Sequence, residues 1–424
     1  MNRREFLALA GGAALTACTE KTPAPTAEQR PPNIVFIMAD DLGPNHLGSY
    51  GGTEIRTPRL DELAKQSLRF TEAYSGCTVC APARSTLMTG LHTGHTPVRG
   101  NSGGLSLPSP VTTVAETLKS AGYATGIFGK WGLGEAGTEG TPDKQGFDES
   151  LGPLHQIHAQ YYYPEFLWKN GSPLPLPENQ NGQKGRYAPD VMLGGALEFL
   201  RAHAEEPFFL YFPSIVPHHE FQVPDENFKE YAGRYEEKPF IREDRGFEVQ
   251  EQPAAAFAGM VTRFDGDVGK LTRRARPPRN CRQHGRLFHI RQRPCRLRAD
   301  RQGFPRRRRL RGYKTDLYEG GIRTPMLVRW PGKIQPGVSD FPVGVLGLSA
   351  DGCRAAARWQ AARGPRRHVG RADAARPGST AAHRVPLYWE SELSARLHQA
   401  ERANGRVESS ARGRSARSNS TTAL

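Results

Sequence analysis

The segment that most limits how this chain can fold is residues 33–39, NIVFIMA, an apolar run that leads directly into Asp40-Asp41. An apolar run of strand length without polar alternation is typical of a strand buried on both faces of a parallel sheet. Both faces of such a sheet need helices to cover them, so the chain must supply amphipathic helices between its strands.

Helical and strand patterns do alternate along residues 33–271. Two helix starts carry N-cap patterns: Thr57 is followed by a proline, and Thr113 has Glu116 three residues later as a capping box. The first helix is predicted to extend to Leu68 and the second to stop at Gly122. Further predictions are strands over 123–130 and 207–219 and helices over 190–204 and 257–271. The alternation predicts an α/β fold with a mostly parallel central sheet and helices on both faces.

Polar side chains gather just past the carboxyl ends of the predicted strands. Asp40 and Asp41 follow the first strand, Lys130 ends the second, and His218 lies near the end of the third. Ligands bind at this edge of parallel sheets, so four such residues favour one shared site over separate turn residues. Adjacent carboxylates suit a hard divalent cation such as calcium. Cationic groups and a histidine beside that ion predict a metal-assisted hydrolase of sulfate or phosphate esters.

Five blocks of sequence carry a resemblance to a known family. They are FIMADDLG (36–43), CAPARSTLMTG (80–90), GKWGLG (129–134), IVPHH (215–219) and LRGYKTDLYEGGIRTPMLVRWPGKI (310–334). Together they resemble the type I sulfatases of the alkaline phosphatase superfamily, over residues 31 to about 270 and again over 310–342. The resemblance implies an alkaline-phosphatase-like fold and a sulfuric ester hydrolase similar to an arylsulfatase.

In that family, the cysteine at the position of Cys80 is oxidised to formylglycine, whose hydrated aldehyde is a geminal diol. One hydroxyl attacks sulfur and the alcohol of the ester departs. The second hydroxyl then loses its proton, which expels sulfate and restores the aldehyde. The resemblance makes Pro82 and Arg84 part of the sequence that a formylglycine-generating enzyme recognises. Arg84 also matches the residue that holds the diol by charge-assisted hydrogen bonds. Cys77 matches no functional residue and is predicted to be packed in the interior.

The resemblance also assigns the groups that contact the substrate. Lys130 and Lys314 match lysines that contact sulfate oxygens, and His218 matches the histidine beside the leaving group. Where the family often has Gly-Lys-Trp-His-Leu-Gly, this chain has Gly132. The histidine that usually touches the diol is therefore missing, and its proton transfer falls to another group or to water. A sulfate-ester small molecule or a sulfated glycan is the expected substrate, with residues 155–158 and 161–163 as candidate pocket segments.

The expected metal site is incomplete in the printed sequence. Asp40, Asp41 and the converted Cys80 match ligands of one calcium ion. The family's remaining ligands, an Asp-Asn pair in a Ser-Asp-Asn-Gly block, are expected between residues 271 and 310, where arginine-rich sequence stands instead. Residues 1–270 hold 24 Lys and Arg against 33 Asp and Glu, whereas residues 271–424 hold 34 against 10. Two different compositions therefore meet near residue 271.

We interpret the arginine-rich stretches as sequence read in a shifted frame. With the codons CAC ATC CGA CAA CGG CCC, residues 289–294 read one base later give Thr-Ser-Asp-Asn-Gly, which restores the missing pair. Residues 343–354 can be reread in the same way as an amphipathic segment. The catalytic domain is then 33–342, with 271–310 out of frame. Residues 343–424 become a frameshifted remnant of the C-terminal subdomain that we expect to be disordered, and the printed chain is expected to be impaired.

The first residues are typical of an export signal. Arg3-Arg4 precede an apolar run that ends in Leu15-Thr-Ala-Cys18, so residues 1–18 are predicted to be a twin-arginine lipoprotein signal with Cys18 as the lipidated residue. The apolar run is too short to span a bilayer, which takes about 20 residues. Residues 19–32, rich in Thr, Pro, Ala and Glu, are the predicted linker. We expect a lipoprotein in the periplasm or at the cell surface, held to the membrane through Cys18.

Two other functions are compatible with parts of the sequence. A phosphate or phosphonate monoester hydrolase of the same superfamily would use the same metal and cationic groups. A surface lipoprotein with an arginine-rich, nucleic-acid-binding half would follow from the net charge of +15. That alternative does not explain why arginine-rich sequence interrupts a hydrolase pattern that then resumes, so nucleic acid is not an expected partner.

Overall fold

The structure is a computed structural model that describes residues 31–242, 247–275 and 310–344. The predicted signal (1–18), nearly all of the linker (19–32), the arginine-rich stretch 276–309 and residues 345–424 lie outside the described residues, so the predictions made for them stay predictions. Within the described residues, no helix is both long enough and apolar enough to cross a membrane.

The described residues form ten strands and seven α-helices. The strands are β1 (Ile34–Met38), β2 (Leu68–Tyr74), β3 (Ala124–Phe128), β4 (Glu149–Gly152), β5 (Phe166–Lys169), β6 (Ser172–Pro175), β7 (Phe208–Pro213), β8 (Arg323–Val328), β9 (Gly337–Ser339) and β10 (Val343–Gly344). The helices are α1 (Pro58–Lys65), α2 (Cys80–Thr89), α3 (Val114–Ser120), α4 (Ala188–Ala202), α5 (Asp225–Phe228), α6 (Pro253–Arg274) and α7 (Glu319–Ile322).

Six of the strands form the central sheet, in the order β1-β7-β3-β4-β5-β6. β1, β7, β3 and β4 run parallel to one another, while β5 pairs antiparallel with β4 and β6 pairs antiparallel with β5. The predicted mostly parallel α/β sheet is confirmed. Because β1, β7 and β3 are adjacent and parallel, their carboxyl ends lie side by side along one edge of the sheet.

The side chains of β1 alternate between two separate apolar cores, one on each face of the sheet. Val35 and Ile37 pack in the core that holds residues of α4 and α6, whereas Phe36 and Met38 pack in the core that holds residues of α2 and α3. All four side chains are at most 2 % exposed. The run at 33–39 lacks polar alternation because helices cover both faces of its strand.

Helix α1 starts at the predicted position, but a distant residue caps it. The hydroxyl of Thr57 bonds to the carboxylate of Asp61 (3.2 Å) and accepts no hydrogen bond from a backbone amide of the first turn. Instead Asp265 of α6 accepts hydrogen bonds from the backbone amides of Arg59 (3.0 Å) and Leu60 (2.7 Å). Burial raises the pKa of Asp265 to about 6, against the opposing effect of these two amides. The cap satisfies two amides at the positive end of α1 and joins α1 to α6.

A smaller sheet joins two distant parts of the chain. β2 pairs antiparallel with β8 and parallel with β9 and β10. The hydroxyl of Tyr50 lies 3.0 Å from the carbonyl oxygen of Phe70 in β2, and it accepts a hydrogen bond from the amide of Met326 in β8 at 2.8 Å. The segment that follows the arginine-rich interruption therefore packs against an early part of the same domain.

Several element boundaries differ from the sequence expectations. α1 ends at Lys65, and Leu68 begins β2 instead of extending the helix. β7 ends at Pro213 and not near His218, since a proline has no amide proton to continue the ladder. α6 runs to Arg274 and so includes the first residues of the stretch 271–310. β10 likewise consists of the first two residues of the stretch 343–424.

Candidate active site

All seven candidate residues lie together at the carboxyl edge of the central sheet. The seven are Asp40 and Asp41 after β1, Cys80 and Arg84 in α2, Lys130 after β3, His218 on the loop after β7, and Lys314 before α7. Three neighbouring strands thus precede four of them, and the other three come from α2 and from the segment that begins at residue 310. The arrangement follows from the parallel order of β1, β7 and β3.

Asp40 is the carboxylate around which cationic side chains gather. Its Oδ2 lies 2.8 Å from Lys130 Nζ and 3.4 Å from Arg84 Nη2, and its Oδ1 lies 3.6 Å from Cys80 Sγ. Burial acts to raise the pKa of Asp40, but the positive charges, with Lys130 first and His218 next, hold it well below its usual range. Asp40 is therefore a buried anion and not a neutral acid.

Asp41 lies within ion-pair distance of two other side chains, those of Lys314 and His218. Its Oδ2 lies 2.5 Å from Lys314 Nζ and 3.2 Å from His218 Nε2. Its Oδ1 is buried and has no hydrogen-bond partner among the described residues. The backbone φ of 67° lies in the left-handed region, which a short Asp side chain tolerates better than most. A buried carboxylate oxygen without a partner costs free energy unless another group completes it.

The ring of His218 is fixed at both nitrogens. Nδ1 lies 2.6 Å from the carbonyl oxygen of His219, and Nε2 lies 2.9 Å from Lys314 Nζ. A carbonyl oxygen can only accept, so Nδ1 carries the proton in this contact. In the neutral ring, Nε2 is then the acceptor that faces the lysine ammonium group. The ring is held with Nε2 toward the carboxylates and the lysine.

Tyr162 is buried beneath the surface and hydrogen-bonds to the backbone of the loop that carries His218. Its side chain is fully buried, and its hydroxyl donates to the carbonyl oxygens of His218 (2.6 Å) and Ile215 (3.0 Å). Residues 161–163 were expected to form a pocket segment. For Tyr162 this expectation is wrong, because the phenol ring is large enough to reach the interior from this loop and finds backbone acceptors there.

Cys80 begins α2 and is 5 % exposed. Burial and the charge of Asp40 act to raise the pKa of its thiol. The charges of Lys130 and Lys314, with a hydrogen bond involving His218, outweigh both and lower the pKa to about 6. The positive charges of the site therefore favour the thiolate form of an unmodified Cys80.

Arg84 lies one turn beyond Cys80 in α2 and is 2 % exposed. Its Nη1 donates to the carbonyl oxygen of Lys130 at 2.6 Å, while Nη2 faces Asp40. The planar fork of a guanidinium group can hold both partners at once, which a single ammonium group cannot. Arg84 therefore fixes the backbone after β3 to the start of α2.

The carboxylates and their neighbours fit a divalent cation. Asp40, Asp41, Cys80 and His218 offer ligand atoms that all lie within 4.8 Å of one another. Carboxylate oxygens are the donors that hard cations prefer, and Asp41 Oδ1 is a buried oxygen without a described partner. His218 was expected beside the leaving group and not among the ligands. Its Nε2 lies 2.9 Å from Lys314 Nζ, and the role beside the leaving group stays a prediction.

Gln156 takes the space that a side chain at position 132 would enter. Gly132 has a φ of 76°, and a Cβ built on it would lie 1.9 Å from Gln156 Nε2. That nitrogen donates to the carbonyl oxygen of Gly132 at 3.1 Å. The sequence placed residues 155–158 in a candidate pocket segment, but no motif marks Gln156, so sequence reasoning did not single it out.

Cys77 packs with Val79 and Ala83 in a small apolar cluster. The prediction that Cys77 is packed in the interior is confirmed. Among the described residues, neither Cys77 nor Cys80 takes part in a disulfide.

The sheet, with buried carboxylates, a cysteine and cationic side chains at its carboxyl edge, defines an alkaline-phosphatase-like α/β protein with a site fit for a divalent cation. The sulfatase family model matches residues 32–280. The chain belongs to the sulfatase family.

Known relatives and solved structures agree with this family. Arylsulfatase A of Homo sapiens is 36 % identical over 345 residues, which cover 74 % of this chain and 62 % of the relative. The N-acetylgalactosamine-6-O-sulfatase of Bacteroides thetaiotaomicron is 29 % identical over 398 residues, covering 77 % and 73 %. The crystal structure of Ps i-CgsB has a TM-score of 0.62 at 26 % identity, covering 76 % and 71 %. The chain spans less than two thirds of the length of arylsulfatase A.

Replacing Lys130 by Met should destabilise the folded chain, because Asp40 would keep its buried charge with Arg84 as the nearest remaining cation. We expect the free energy of unfolding, measured by urea denaturation, to fall by about 3 kcal/mol. Lys119→Met is the matched control: it breaks a partly exposed ion pair with Asp148 (2.6 Å) and should cost about 0–1 kcal/mol. Equal losses in the two variants would show that the buried charges do not hold the site together.

Proposed function

We propose that the chain hydrolyses sulfate esters, with a formylglycine made from Cys80 as its nucleophile and one calcium ion as its metal. The observation that carries the proposal is the convergence of two buried carboxylates, two lysine ammonium groups and a cysteine inside a Cys-x-Pro-x-Arg signature. A hard cation and fixed positive charges are what a tetrahedral, anionic ester needs for binding and for charge stabilisation.

The two lysines would bind and orient the sulfate group. Lys130 is 1 % exposed and Lys314 is 14 % exposed in their side chains. Their charges act where little water screens them, so each interacts more strongly with an anion than it would in bulk water. Arg84 would contribute indirectly by fixing the backbone of Lys130 and would also reach the diol oxygens.

His218 would deliver a proton to the leaving oxygen from Nε2. The contact between Nδ1 and the carbonyl oxygen of His219 holds the ring in one orientation while Nε2 gains and loses its proton. Asp41 Oδ2 lies 3.2 Å from Nε2 and would accept a hydrogen bond from it when that nitrogen carries a proton. A protonated Nε2 would let the alcohol leave as a neutral molecule, which is the general-acid role that the position supports.

Asp40, Asp41 and the oxygen of the modified residue 80 would hold the cation. When present, the cation would polarise the ester oxygens, and the formylglycine would supply an oxygen nucleophile. Calcium takes 6–8 oxygen ligands, so three protein residues leave the shell open and an added Asp-Asn pair would complete much of it. Because Cys80 is buried, a formylglycine-generating enzyme would have to oxidise it before the domain closes.

The frameshift interpretation belongs to this proposal. It is supported by the change of composition near residue 271 and by the return of the family pattern at 310. In the structure, the returning segment places Lys314 at 2.5 Å from Asp41 and pairs β8 with β2. Residues 310–344 follow the arginine-rich stretch and still contribute to the site. This favours one catalytic domain that is interrupted by that stretch over a separate nucleic-acid-binding half.

The proposed substrate is a sulfated small molecule or glycan. The B. thetaiotaomicron relative is named for N-acetylgalactosamine, and Ps i-CgsB, at 26 % identity and a TM-score of 0.61, has been solved with k-i-k-neocarrahexaose. These two relatives favour a sugar ester. The twin arginines Arg3-Arg4 and Cys18 support a lipoprotein of the periplasm or cell surface.

Cys80 should be formylglycine in protein made together with a formylglycine-generating enzyme, and mass spectrometry of its peptide checks this. In the frame-restored chain, Cys80→Ala should lower turnover of a chromogenic sulfate ester by about 10³-fold or more, since it removes the nucleophile. Cys77→Ala, which alters only the small apolar cluster, is the control and should keep both modification and turnover. An unmodified thiol in a chain that hydrolyses the sulfate ester would refute the mechanism.

Faster turnover of the matching phosphate ester than of the sulfate ester would favour the phosphohydrolase alternative.

Restoring both reading frames should convert a chain with little or no sulfatase activity into an active one. The shifted frame removes the Asp-Asn pair and puts arginines where an apolar strand is expected, and arginine charges are costly to bury unpaired. Both chains are expressed with the modifying enzyme and compared by circular dichroism and by turnover of an aryl sulfate. Equal turnover would show that the Asp-Asn pair is dispensable. The DNA sequence across codons 265–425 tests the frames directly.

Changing Cys18 to Ser should release the mature protein from the membrane fraction, because the lipid is attached through the thiol. Cell fractionation and immunoblotting measure the shift. Thr19→Ser is the neighbouring control and should leave the protein with the membranes. An unchanged distribution of the Cys18→Ser protein would show that Cys18 is not the anchor.

A further inference from the structure

The loop that carries His218 begins with a closed turn after β7. The amide of His218 donates to the carbonyl oxygen of Ile215 at 3.0 Å. The turn is also joined to the end of β1, because the amide of Asp40 donates to the carbonyl oxygen of Val216 at 3.0 Å. Ile215, Val216 and His218 are at most 3 % exposed. The place of the His218 ring therefore depends on backbone contacts inside the protein.

The hydroxyl of Tyr162 joins both ends of this turn. It lies 2.6 Å from the carbonyl oxygen of His218 and 3.0 Å from that of Ile215. Carbonyl oxygens only accept hydrogen bonds, so the phenol is the donor and its single proton is shared between the two oxygens. The shorter contact is the one to His218. Removing the hydroxyl would take a donor away from a buried carbonyl oxygen of the residue that bears the imidazole.

Tyr162 is itself fixed by the packing around it. Its carbonyl oxygen accepts a hydrogen bond from the amide of Ala188, the first residue of α4, at 2.8 Å. Its ring stacks on the ring of Tyr187, with 5.6 Å between the ring centroids and 15° between the planes. The hydroxyl of Tyr187 donates to the carbonyl oxygen of Gln222, farther along the same loop, at 3.0 Å. The Tyr162 ring therefore connects the His218 turn to α4 and to the apolar core.

The proposed proton transfer requires His218 Nε2 to be placed accurately. Nε2 lies 3.2 Å from Asp41 Oδ2 and 2.9 Å from Lys314 Nζ, so the ring fits between groups from two other parts of the chain. A general acid has to come within about 2.6–3.2 Å of the oxygen that receives its proton. A misplacement of about 1 Å can lower the rate about 100-fold. A hydrogen bond to the His218 backbone sets the point from which the side chain extends.

We propose that Tyr162 is a positioning residue, whose hydroxyl holds the backbone of His218 so that Nε2 reaches the leaving oxygen. The inference rests on the proposed sulfatase function and deepens it. Tyr162 acts only through His218 and stays in the interior. The proton passes from His218 Nε2 to the ester oxygen as the bond between that oxygen and sulfur breaks. The phenol keeps its own proton throughout.

Tyr162→Phe removes the hydroxyl and keeps the buried ring. Kinetics are measured in the frame-restored, formylglycine-bearing chain on 4-nitrophenyl sulfate and on phenyl sulfate. Nitrophenolate leaves readily as an anion, whereas phenolate is a poorer leaving group and gains more from a general acid. The ratio of kcat/KM for phenyl sulfate to kcat/KM for 4-nitrophenyl sulfate should fall about tenfold. Loss of folded or modified protein cancels from this ratio, because both substrates meet the same sample. An unchanged ratio would overturn the proposal.

Tyr187→Phe is the matched control, because it removes a buried hydroxyl from the same loop at Gln222. It should leave the ratio unchanged. His218→Ala should lower the ratio at least as much as Tyr162→Phe does. Adding Tyr162→Phe to His218→Ala should then cause no further fall, since the tyrosine acts through that imidazole. A further fall in the double variant, or an equal fall in Tyr187→Phe, would show that Tyr162 does not act by positioning His218.

Hydrogen exchange separates this inference from the proposed function. Peptides that span residues 214–219 should exchange their amide hydrogens about tenfold faster in Tyr162→Phe than in the parent, because the turn loses a hydrogen bond. Tyr187→Phe should match the parent there. If the parent hydrolyses no sulfate ester but exchange rises only in Tyr162→Phe, the proposed function fails and the hold of Tyr162 on the turn stands. If exchange in these peptides is unchanged, the positioning inference fails whatever the turnover.

Discussion

The pairing of Asp40 and Asp41 at the end of β1 is the constraint on which the rest of the structure depends. Two adjacent buried carboxylates are costly unless opposite charges and hydrogen-bond donors surround them. The compensating groups are Lys130 after β3, Arg84 in α2, His218 after β7 and Lys314 before α7. Each comes from a different element, so the charge balance of one dipeptide requires that all four elements pack at the same edge.

The same requirement explains why the segment at 310–344 matters to the site. Lys314 reaches Asp41 only because β8 pairs with β2 and Tyr50 bonds to the backbone of both strands. Gly132 and Gln156 depend on each other sterically. Because Gly132 has no side chain, the carboxamide of Gln156 can occupy the space beside it. The carboxamide of Gln156 can donate and accept hydrogen bonds but cannot transfer a proton as an imidazole does.

The central sheet and most of the site could be predicted because their signals are local. An apolar run such as 33–39 marks a doubly covered strand, and the carboxyl-edge rule then brings Asp40, Lys130 and His218 together. The remaining features depend on contacts between distant residues. β2 is only partly buried and has no continuous apolar run. The cap of α1 comes from Asp265, which is about 200 residues away in the sequence. The position of the Gln156 carboxamide depends on the absence of a side chain at Gly132. No pattern within one segment can reveal such pairs.

Calcium titration by calorimetry tests most directly whether the charge-compensated carboxylates form a metal site. The frame-restored, formylglycine-bearing chain should bind one ion. Asp41→Asn, which keeps the shape of the side chain and removes one ligand charge, should weaken binding at least about tenfold. Asp148→Asn, at a surface ion pair, should bind calcium as the parent does. Binding of one ion with equal affinity in the parent and in Asp41→Asn, or no binding by the parent, would contradict the account.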